Sequence, residues 1–410
     1  MNDWLERAAV WRPEGVAVDT PARALTYDSL AAQVRARGRS LADSGTRPGD
    51  PVAIEFHDGL QFAVDLHACL QLGAPAVPID LRLSASERDV RTRVRVIGED
   101  VATIMHTSGT TTDPKPVELT HGNWLANALG SAVMLGLDLD ERWLCPMPLV
   151  HVGGLSILIR STIYATTAVL HERFDAGVVL EELMDPDRRI TLVSLVPTML
   201  ARLLDAGFER PPTLRWALLG GGPIPAALLA RAADAGVPVA PTYGMTETCS
   251  QIATFGVPLP QAEIVIADGG EVLVRGPMVA PGVLAPDGWL HTGDLGSLDE
   301  HGRLRIVGRK ADTIISGGEN VAPAEVEAVL LEHPAVGDAA VFAREDAEWG
   351  EAVVARVVLR DETDVPEAEL REFCAGRLAR FKVPKAIQFT SELPRTPSGK
   401  LIRRELRWVE

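Results

Sequence analysis

From about residue 50 to residue 250 the chain repeats one pattern. A short apolar run is followed by a turn with glycine or proline, then by a stretch with apolar positions at helical spacing. Pro51 to Glu55 predicts a strand, Leu60 to Leu72 a helix and Ala76 to Ile79 the next strand. Thr191 to Val196 is a β-rich run ahead of a helix from Pro197 to Leu204, and Trp216 to Leu219 is a strand that runs into Gly220-Gly221-Gly222. A helix from Pro225 to Ala235, with Pro near its first turn, leads to a strand at Val237 to Ala240 that ends in Thr242-Tyr243-Gly244. Such alternation marks βα units on a largely parallel sheet. Ligands of these sheets sit beyond the carboxyl ends of the strands, so the Gly and Thr turns are the first places to look.

After about residue 260 the period changes. Glu263 to Ile266 and Glu271 to Arg275 read as short antiparallel strands around a Gly269-Gly270 turn. The segment after Arg309 has a pattern of its own: a helix opened by Pro323, strands around Ala340 and at Val353 to Leu359, and an amphipathic helix from Pro366 to Phe381. Leu370, Phe373, Cys374 and Leu378 form its apolar stripe. The expected class is α/β: a large N-terminal domain of doubly wound, mostly parallel sheets with a small β-subdomain, then a small α+β C-terminal domain. The boundary falls at Arg309 to Asp312, giving domains 1–310 and 311–410.

Composition narrows the function classes. A length of 410 residues allows two to three domains. With 56 acidic and 40 basic residues the net charge is −16, the opposite of a nucleic-acid binder. Cys69, Cys145, Cys249 and Cys374 lie far apart with no CxxC pair, which suits buried thiols in a reducing compartment better than disulfides or zinc. The N-terminus has neither the basic nor the apolar region of a secretion signal. The most apolar stretch, Leu144 to Leu170, is broken by His151, Arg160 and several Ser and Thr, so no bilayer span is expected. A cytoplasmic enzyme is the default expectation.

Three segments carry chemistry. Met105 to Pro116 packs hydroxyls around Gly109 with Lys115 close by, an anion nest suited to phosphates though not a Walker loop. Thr242 to Thr248 places Glu247 among hydroxyls, where a carboxylate can hold Mg²⁺ beside phosphate oxygens. Thr292-Gly293-Asp294, Gly308 to Asp312 and Ser316 to Asn320 add an Asp on a tight turn, a cation at Arg309 and a glycine pair. Taken singly each has a plainer explanation: a Ser/Thr-rich surface turn, a helix N-cap at Thr246, a turn-forming Asp with a surface Arg.

Their order is more specific. A Ser/Thr/Gly/Lys loop, TYGMTE, WLHTGD, GRKAD and a C-terminal PRTPSGK occur in succession. The chain thereby resembles the ANL superfamily of acyl-CoA synthetases, peptide-synthetase adenylation domains and luciferases. Within it the chain is most similar to the 2-succinylbenzoate–CoA ligases of menaquinone biosynthesis, through LLGGGP at 218–223, YGMTETCSQI at 243–252 and IISGGEN at 314–320.

The resemblance implies an AMP-forming acid–thiol ligase using ATP, Mg²⁺ and coenzyme A on a small carboxylic acid, with no nucleic-acid or membrane partner and compatible with a homodimer. It implies that Thr107, Ser108, Gly109, Thr110, Thr111 and Lys115 hold the β- and γ-phosphates. Thr246 then contacts the α-phosphate and Glu247 the metal, Asp294 and Arg309 hold the ribose, and Gly220, Gly221, Gly222, Tyr243 and Gly244 frame adenine. Lys400 bridges the α-phosphate and the acid from a mobile C-terminal domain, whose rotation brings Gly317 and Gly318 against the pantetheine path. His151, Gly154, Ser250 and Gln251 border the acid, although a histidine bonded to backbone explains His151 equally well. The second carboxylate of a dianionic acid is expected to meet backbone N–H groups, Ser250 or Gln251, or water.

The sequence also departs from the family pattern. Ala311 stands at the hinge where many relatives carry Asp or Lys. Several dozen residues are missing between Asp89 and Val101. Thr112 and Pro116 replace two loop glycines, and Asp113 stands where a basic residue is common. These departures keep open another acid, a carrier-protein thiol in place of CoA, or a nucleotide-binding homologue with weakened catalysis.

Overall fold

The protein is described from a computed structural model, covering residues 3–107, 115–360, 363–395 and 401–408. Its backbone gathers into two compact units. The first comprises Met1–Gly221, Ala232–Ile264 and Val274–Leu290; the second comprises Gly222–Arg231, Val265–Leu273 and His291–Glu410.

In the first unit, strands β1 (Val16–Asp19), β2 (Ala24–Thr26), β3 (Val52–Glu55), β4 (Ala76–Ile79), β5 (Val101–His106) and β6 (Pro116–Thr120) come first in the chain. They are followed by β7 (Arg142–Cys145), β8 (Thr167–Leu170), β9 (Leu192–Leu195), β10 (Trp216–Leu219), β11 (Val239–Met245), β12 (Ser250–Thr254) and β13 (Val257–Pro258). The larger sheet runs β13-β12-β11-β10-β9-β7-β8-β1-β2. From β11 to β1 every pairing in it is parallel, and the antiparallel pairs lie at its two ends. The smaller sheet runs β3-β4-β5-β6 and is parallel except for the β5–β6 hairpin. Central strands covered on both faces are mostly apolar: every residue of β4, β8 and β9 is buried, and the two polar ones, Thr167 and Ser194, are hydrogen-bonded.

Helix starts follow local chemistry. Ser84 and Glu87 close a capping box ahead of Ala85–Thr92, and Thr120 with Asn123 closes one ahead of His121–Leu135. Buried indoles find acceptors: Trp124 Nε1 donates to Thr103 Oγ1 at 3.1 Å and Trp143 Nε1 to Ser194 Oγ at 2.9 Å. The four cysteines are free and buried. No helix among the described residues is long and apolar enough to cross a membrane; the apolar stretch 144–170 is a helix, Val152–Tyr164, between β7 and β8.

In the second unit, antiparallel strands Leu290–Leu298 and Leu304–Arg309 precede a sheet formed by Ile314–Ser316, Glu319–Val321, Val336–Asp346, Gly350–Leu359 and Ala386–Phe389. Its helix Pro323–Leu331 starts at the predicted proline. The last predicted helix is shorter than expected: it spans Glu367–Ala375. Its C-cap is Gly376, the chain re-forms a single turn only at Arg380–Lys382, and Leu378 is therefore off the helix. Leu370 and Cys374 are buried, whereas Phe373 stays partly exposed, edge-on to His333 and under the Arg377 guanidinium.

One core histidine makes folding sensitive to acid. His67 is 3% exposed, its Nε2 is 3.1 Å from Thr162 Oγ1, and burial lowers its pKa from 6.5 to about 4. The unfolded chain takes up this proton near pH 6.5 and the folded one only near pH 4. Stability therefore holds above pH 6.5 and falls as pH drops toward 4, by about 1.4 kcal/mol per pH unit for this one group. Urea midpoints between pH 7 and 4.5 should fall for the native sequence and fall less steeply for His67→Gln; parallel slopes would remove His67 as the cause.

Candidate active site

The parallel pairings bring three predicted segments to one edge of the larger sheet. β7 leads through residues 146–150 to His151, β10 leads into Gly220 to Gly222, and β11 carries Tyr243 and Gly244. At this carboxyl edge neighbouring strands leave little room for a side chain at the first two glycines. A Cβ on Gly220 would stand 2.7 Å from Thr242 Cγ2, one on Gly221 3.3 Å from Val196 Cγ1, and Gly221 has φ +81°. Gly222 has open space around it. At Gly154 a Cβ would stand 2.6 Å from Pro148 O, so glycine there is required by packing alone.

The β11 strand runs further than its sequence suggests, through Tyr243 and Gly244 to Met245, because β12 pairs with it antiparallel. A single turn, Thr246–Thr248, then reverses the chain. Thr248 Oγ1 accepts from Met245 N at 3.0 Å and lies 2.9 Å from Ser250 O, while Ala280 N donates to Glu247 O at 2.9 Å. Cys249 and Ser250 complete the turn at φ 55° and 95°. The half-buried side chains of Thr246 and Glu247 meet no ion-pair or hydrogen-bond partner among the described residues. Gln251 departs from expectation: it is 1% exposed, its Nε2 is spent on Thr254 Oγ1 at 2.8 Å, and its Oε1 is a buried acceptor. An acceptor does not welcome a carboxylate, which leaves Ser250, backbone N–H groups or water as the candidates for that task.

His151 lies at the N-cap of Val152–Tyr164, where its backbone N donates to Pro148 O at 3.2 Å. Burial, then the Arg82 charge, holds its pKa below the usual value, so the ring is neutral at pH 7. Arg82 itself pairs with Asp80 at 2.6 Å. Nothing in the sequence pattern singled out this pair.

Thr107 and Lys115 form the base of the predicted phosphate loop: β5 and β6 pair up to His106 and Pro116, and Thr107 N donates to Lys115 O at 3.1 Å. Ser108, Gly109, Thr110, Thr111, Thr112 and Asp113 lie outside the described residues. Pro116 opens the edge strand, where its missing N–H interrupts little. His106, at the end of β5, keeps Nδ1 buried without a partner, and burial followed by the Arg91 charge lowers its pKa to about 4. The stretch left by the missing segment is fastened to β6, since Glu118 accepts from Ile97 N and Gly98 N, both at 2.8 Å.

In the second unit Asp294 and Arg309 face each other across paired strands, with Arg309 Nε 2.7 Å from Asp294 Oδ1. Asp294 is buried and Arg309 about half exposed. Beside them Glu271 pairs with Lys310 at 3.0 Å, which holds its carboxyl below the usual range. Gly317 and Gly318, at φ 60° and 84°, form the two-residue loop of a hairpin with Ser316 opposite Glu319. That turn needs positive φ at both central positions, and a Cβ on Gly317 would also meet Trp349 at 2.8 Å. Lys400 lies outside the described residues; Arg395 and Leu401, on either side of 396–400, bridge antiparallel.

A magnesium ion arriving with ATP fits the donor set around Glu247, because one carboxylate plus phosphate and water oxygens makes a Mg²⁺ shell. Among the described residues no group of three or more His, Cys, Asp or Glu could hold a resident metal.

The AMP-binding enzyme family matches residues 5–95 and 88–284, and the AMP-binding enzyme C-terminal domain matches 325–400. The chain belongs to the family of AMP-binding enzymes. It is 38% identical to the 2-succinylbenzoate–CoA ligase of Bacillus licheniformis, over 98% of this chain and 99% of that protein. Its structure superposes with a TM-score of 0.90 on the o-succinylbenzoate CoA synthetase of Bacillus subtilis in complex with the acyl-adenylate intermediate OSB-AMP, at 37% identity over 100% of this chain and 98% of that one. The same synthetase in complex with ATP and magnesium ion gives 0.89 at 37% identity, covering 98% and 99%. The alignment to the Bacillus licheniformis ligase spans 476 positions, 66 more than this chain has residues, and the family match breaks at 88–95. Both observations agree with a segment missing after Asp89.

Proposed function

We propose that the protein is an ATP-dependent 2-succinylbenzoate–CoA ligase. The observation that carries the reading is the end-to-end likeness to ligases of that name, one of them solved with its acyl-adenylate. In the first half-reaction a carboxylate oxygen attacks the α-phosphorus of ATP and the bond to the β-phosphate breaks, releasing pyrophosphate. In the second the CoA sulfur attacks the acyl carbon, its proton passes to solvent, and AMP leaves.

Each half-reaction sets a demand that this chain's residues can meet. Two anions must approach in the first, so charge has to be neutralised and both reactants aligned. In our assignment the 107–115 loop holds the outer phosphates, Thr246 meets the α-phosphate and Glu247 receives the magnesium ion that neutralises phosphate charge. Gly220 to Gly222, Tyr243 and Gly244 form the adenine wall, and Asp294, oriented by Arg309, accepts from the ribose hydroxyls. Neutral His151 and Gly154 border the acid, with Ser250 facing its second carboxylate. Lys400 acts in the first half-reaction only, and Gly317 and Gly318 lie along the CoA path in the second. The lid domain of this reading is 311–410, hinged at Ala311. The same reading places the enzyme in the cytoplasm and is compatible with a homodimer.

Pyrophosphate release measured with 2-succinylbenzoate, benzoate and medium-chain fatty acids tests the substrate. The highest kcat/KM should belong to 2-succinylbenzoate; a higher value for another acid would keep the ligase class and reject the specific assignment. The altered phosphate loop makes a separate prediction. Pro116 has no N–H to give, Thr112 resists positive φ, and Asp113 brings a like charge toward the phosphates. Changing Thr112 and Pro116 to Gly and Asp113 to Lys should therefore lower the KM for ATP and leave that for the acid alone. An unchanged ATP KM would mean that the loop compensates elsewhere.

A further inference from the structure

The first unit buries a cation that has no counter-charge among the described residues. Arg160 is 1% exposed on the apolar helix Val152–Tyr164. No carboxylate pairs with it among the described residues, and its Nε and Nη1 have no hydrogen-bond partner. Its guanidinium lies 5.6 Å from the centre of the Trp143 ring, and burial draws its pKa down. An unpaired buried charge is costly, and an apolar residue of similar size usually serves packing better. The one bond that Arg160 does make, from Nη2 to Asn127 Oδ1, is the exception.

Asn127 is fully buried on the helix His121–Leu135. Its Nδ2 donates to Gln251 O at 2.7 Å and to Thr248 O at 3.2 Å. Those carbonyls stand on either side of Cys249 and Ser250, the two residues with positive φ, directly after Thr246 and Glu247. Such backbone persists only where its surroundings hold it. Arginine is a donor alone and the two carbonyls are acceptors alone, so this amide has one orientation that satisfies all three.

We propose that Arg160 and Asn127 are positioning residues for adenylate formation. Arg160 fixes the orientation of the Asn127 amide, and the amide clamps both ends of the turn that presents Thr246 and Glu247. The inference rests on the assignment of Glu247 to the magnesium-bound nucleotide.

Asn127→Asp separates this role from packing. The substitution keeps the side chain's shape and gives Arg160 a carboxylate, but it sets acceptor oxygens against the two carbonyls. The ion pair gained with Arg160 offsets part of the cost of leaving two carbonyls without their donor, so the protein should stay folded with a melting temperature only a few degrees below the native one. Mg²⁺·ATP affinity by calorimetry, or adenylation kcat, should fall about 10–100-fold, as for other outer-shell supports. The KM for the acid should change little. Arg160→Met should show the same signature, and Arg160→Lys, which keeps a donor for Oδ1, should recover part of the rate. Native-like nucleotide affinity and rate in N127D would overturn the clamp, as would a loss of rate that only follows a loss of folded protein. A native enzyme that binds Mg²⁺·ATP yet releases no pyrophosphate with 2-succinylbenzoate would instead overturn the proposed substrate, and the calorimetric arm would still decide the clamp.

Discussion

Lys400→Ala is expected to lose adenylate formation by about 10²–10³-fold, the usual effect of removing a group that stabilises charge only in the transition state. Thioester formation from presupplied acyl-adenylate and CoA should survive almost unchanged. The reasoning begins with the position of the lysine, in a PSGK segment near the C-terminus, far in sequence from the TYGMTE turn. In our reading it supplies a compact mobile cation to the α-phosphate and the attacking carboxylate, where two anions must meet. The second half-reaction makes no new bond to phosphorus: a thiol attacks the acyl carbon and AMP leaves with the electron pair of the broken acyl–oxygen bond, so no second anion has to be drawn against the α-phosphate. Pyrophosphate release and thioester formation, each measured in isolation, check the division. Equal loss of both would contradict it.

The second large effect is expected at Gly244. A Cβ there would stand 1.7 Å from Ser250 O, 2.6 Å from Ser250 C and 2.9 Å from Gln251 Cα. All three are backbone atoms of the paired strand, so no rotamer change relieves the contact. Gly244→Ala must push β11 and β12 apart, at about 1–3 kcal/mol or more by the usual scale of overpacking. It must also displace the turn that carries Glu247, so adenylation should fall further than stability alone would require. Gly282→Ala is the control, since nothing lies within 4 Å of a Cβ at that position and it has no part in the proposed site. Urea midpoints and pyrophosphate release on the two variants should differ sharply. A native-like Gly244→Ala protein would mean that β11 and β12 do not pair at this distance.

The helices and parallel strands between residues 50 and 240 were legible because each is a local object. A strand such as Ala76–Ile79 is buried at every position and so reads as an unbroken apolar run, punctuated by the glycines and prolines that must turn the chain. The end of β11 was not legible in the same way. Thr242-Tyr243-Gly244-Met245 has turn chemistry, and only its pairing with Ser250–Thr254 makes it a strand. The C-terminal helix was overextended because Leu378 continues the apolar spacing past Gly376, the residue at which the helix stops. Most of the candidate site was visible as ordered motifs, since nucleotide chemistry concentrates hydroxyls, glycines and charges in short segments. The exceptions act through other residues. Asn127 and Arg160 stand alone in apolar helices, and nothing local distinguishes a clamp from an ordinary buried polar residue. Gln251 shows the converse: it lies within a telling motif, yet its amide turns into the core.

The central claim is tested most directly by a staged single turnover. The protein is mixed with ATP, Mg²⁺ and 2-succinylbenzoate without CoA, and bound products are identified by mass spectrometry before and after CoA is added. The account predicts about one acyl-adenylate per active site with matching pyrophosphate, converted wholly to the 2-succinylbenzoyl thioester and AMP when CoA arrives. Failure to form the adenylate from this acid, while benzoate or a fatty acid forms it under the same conditions, would contradict the account.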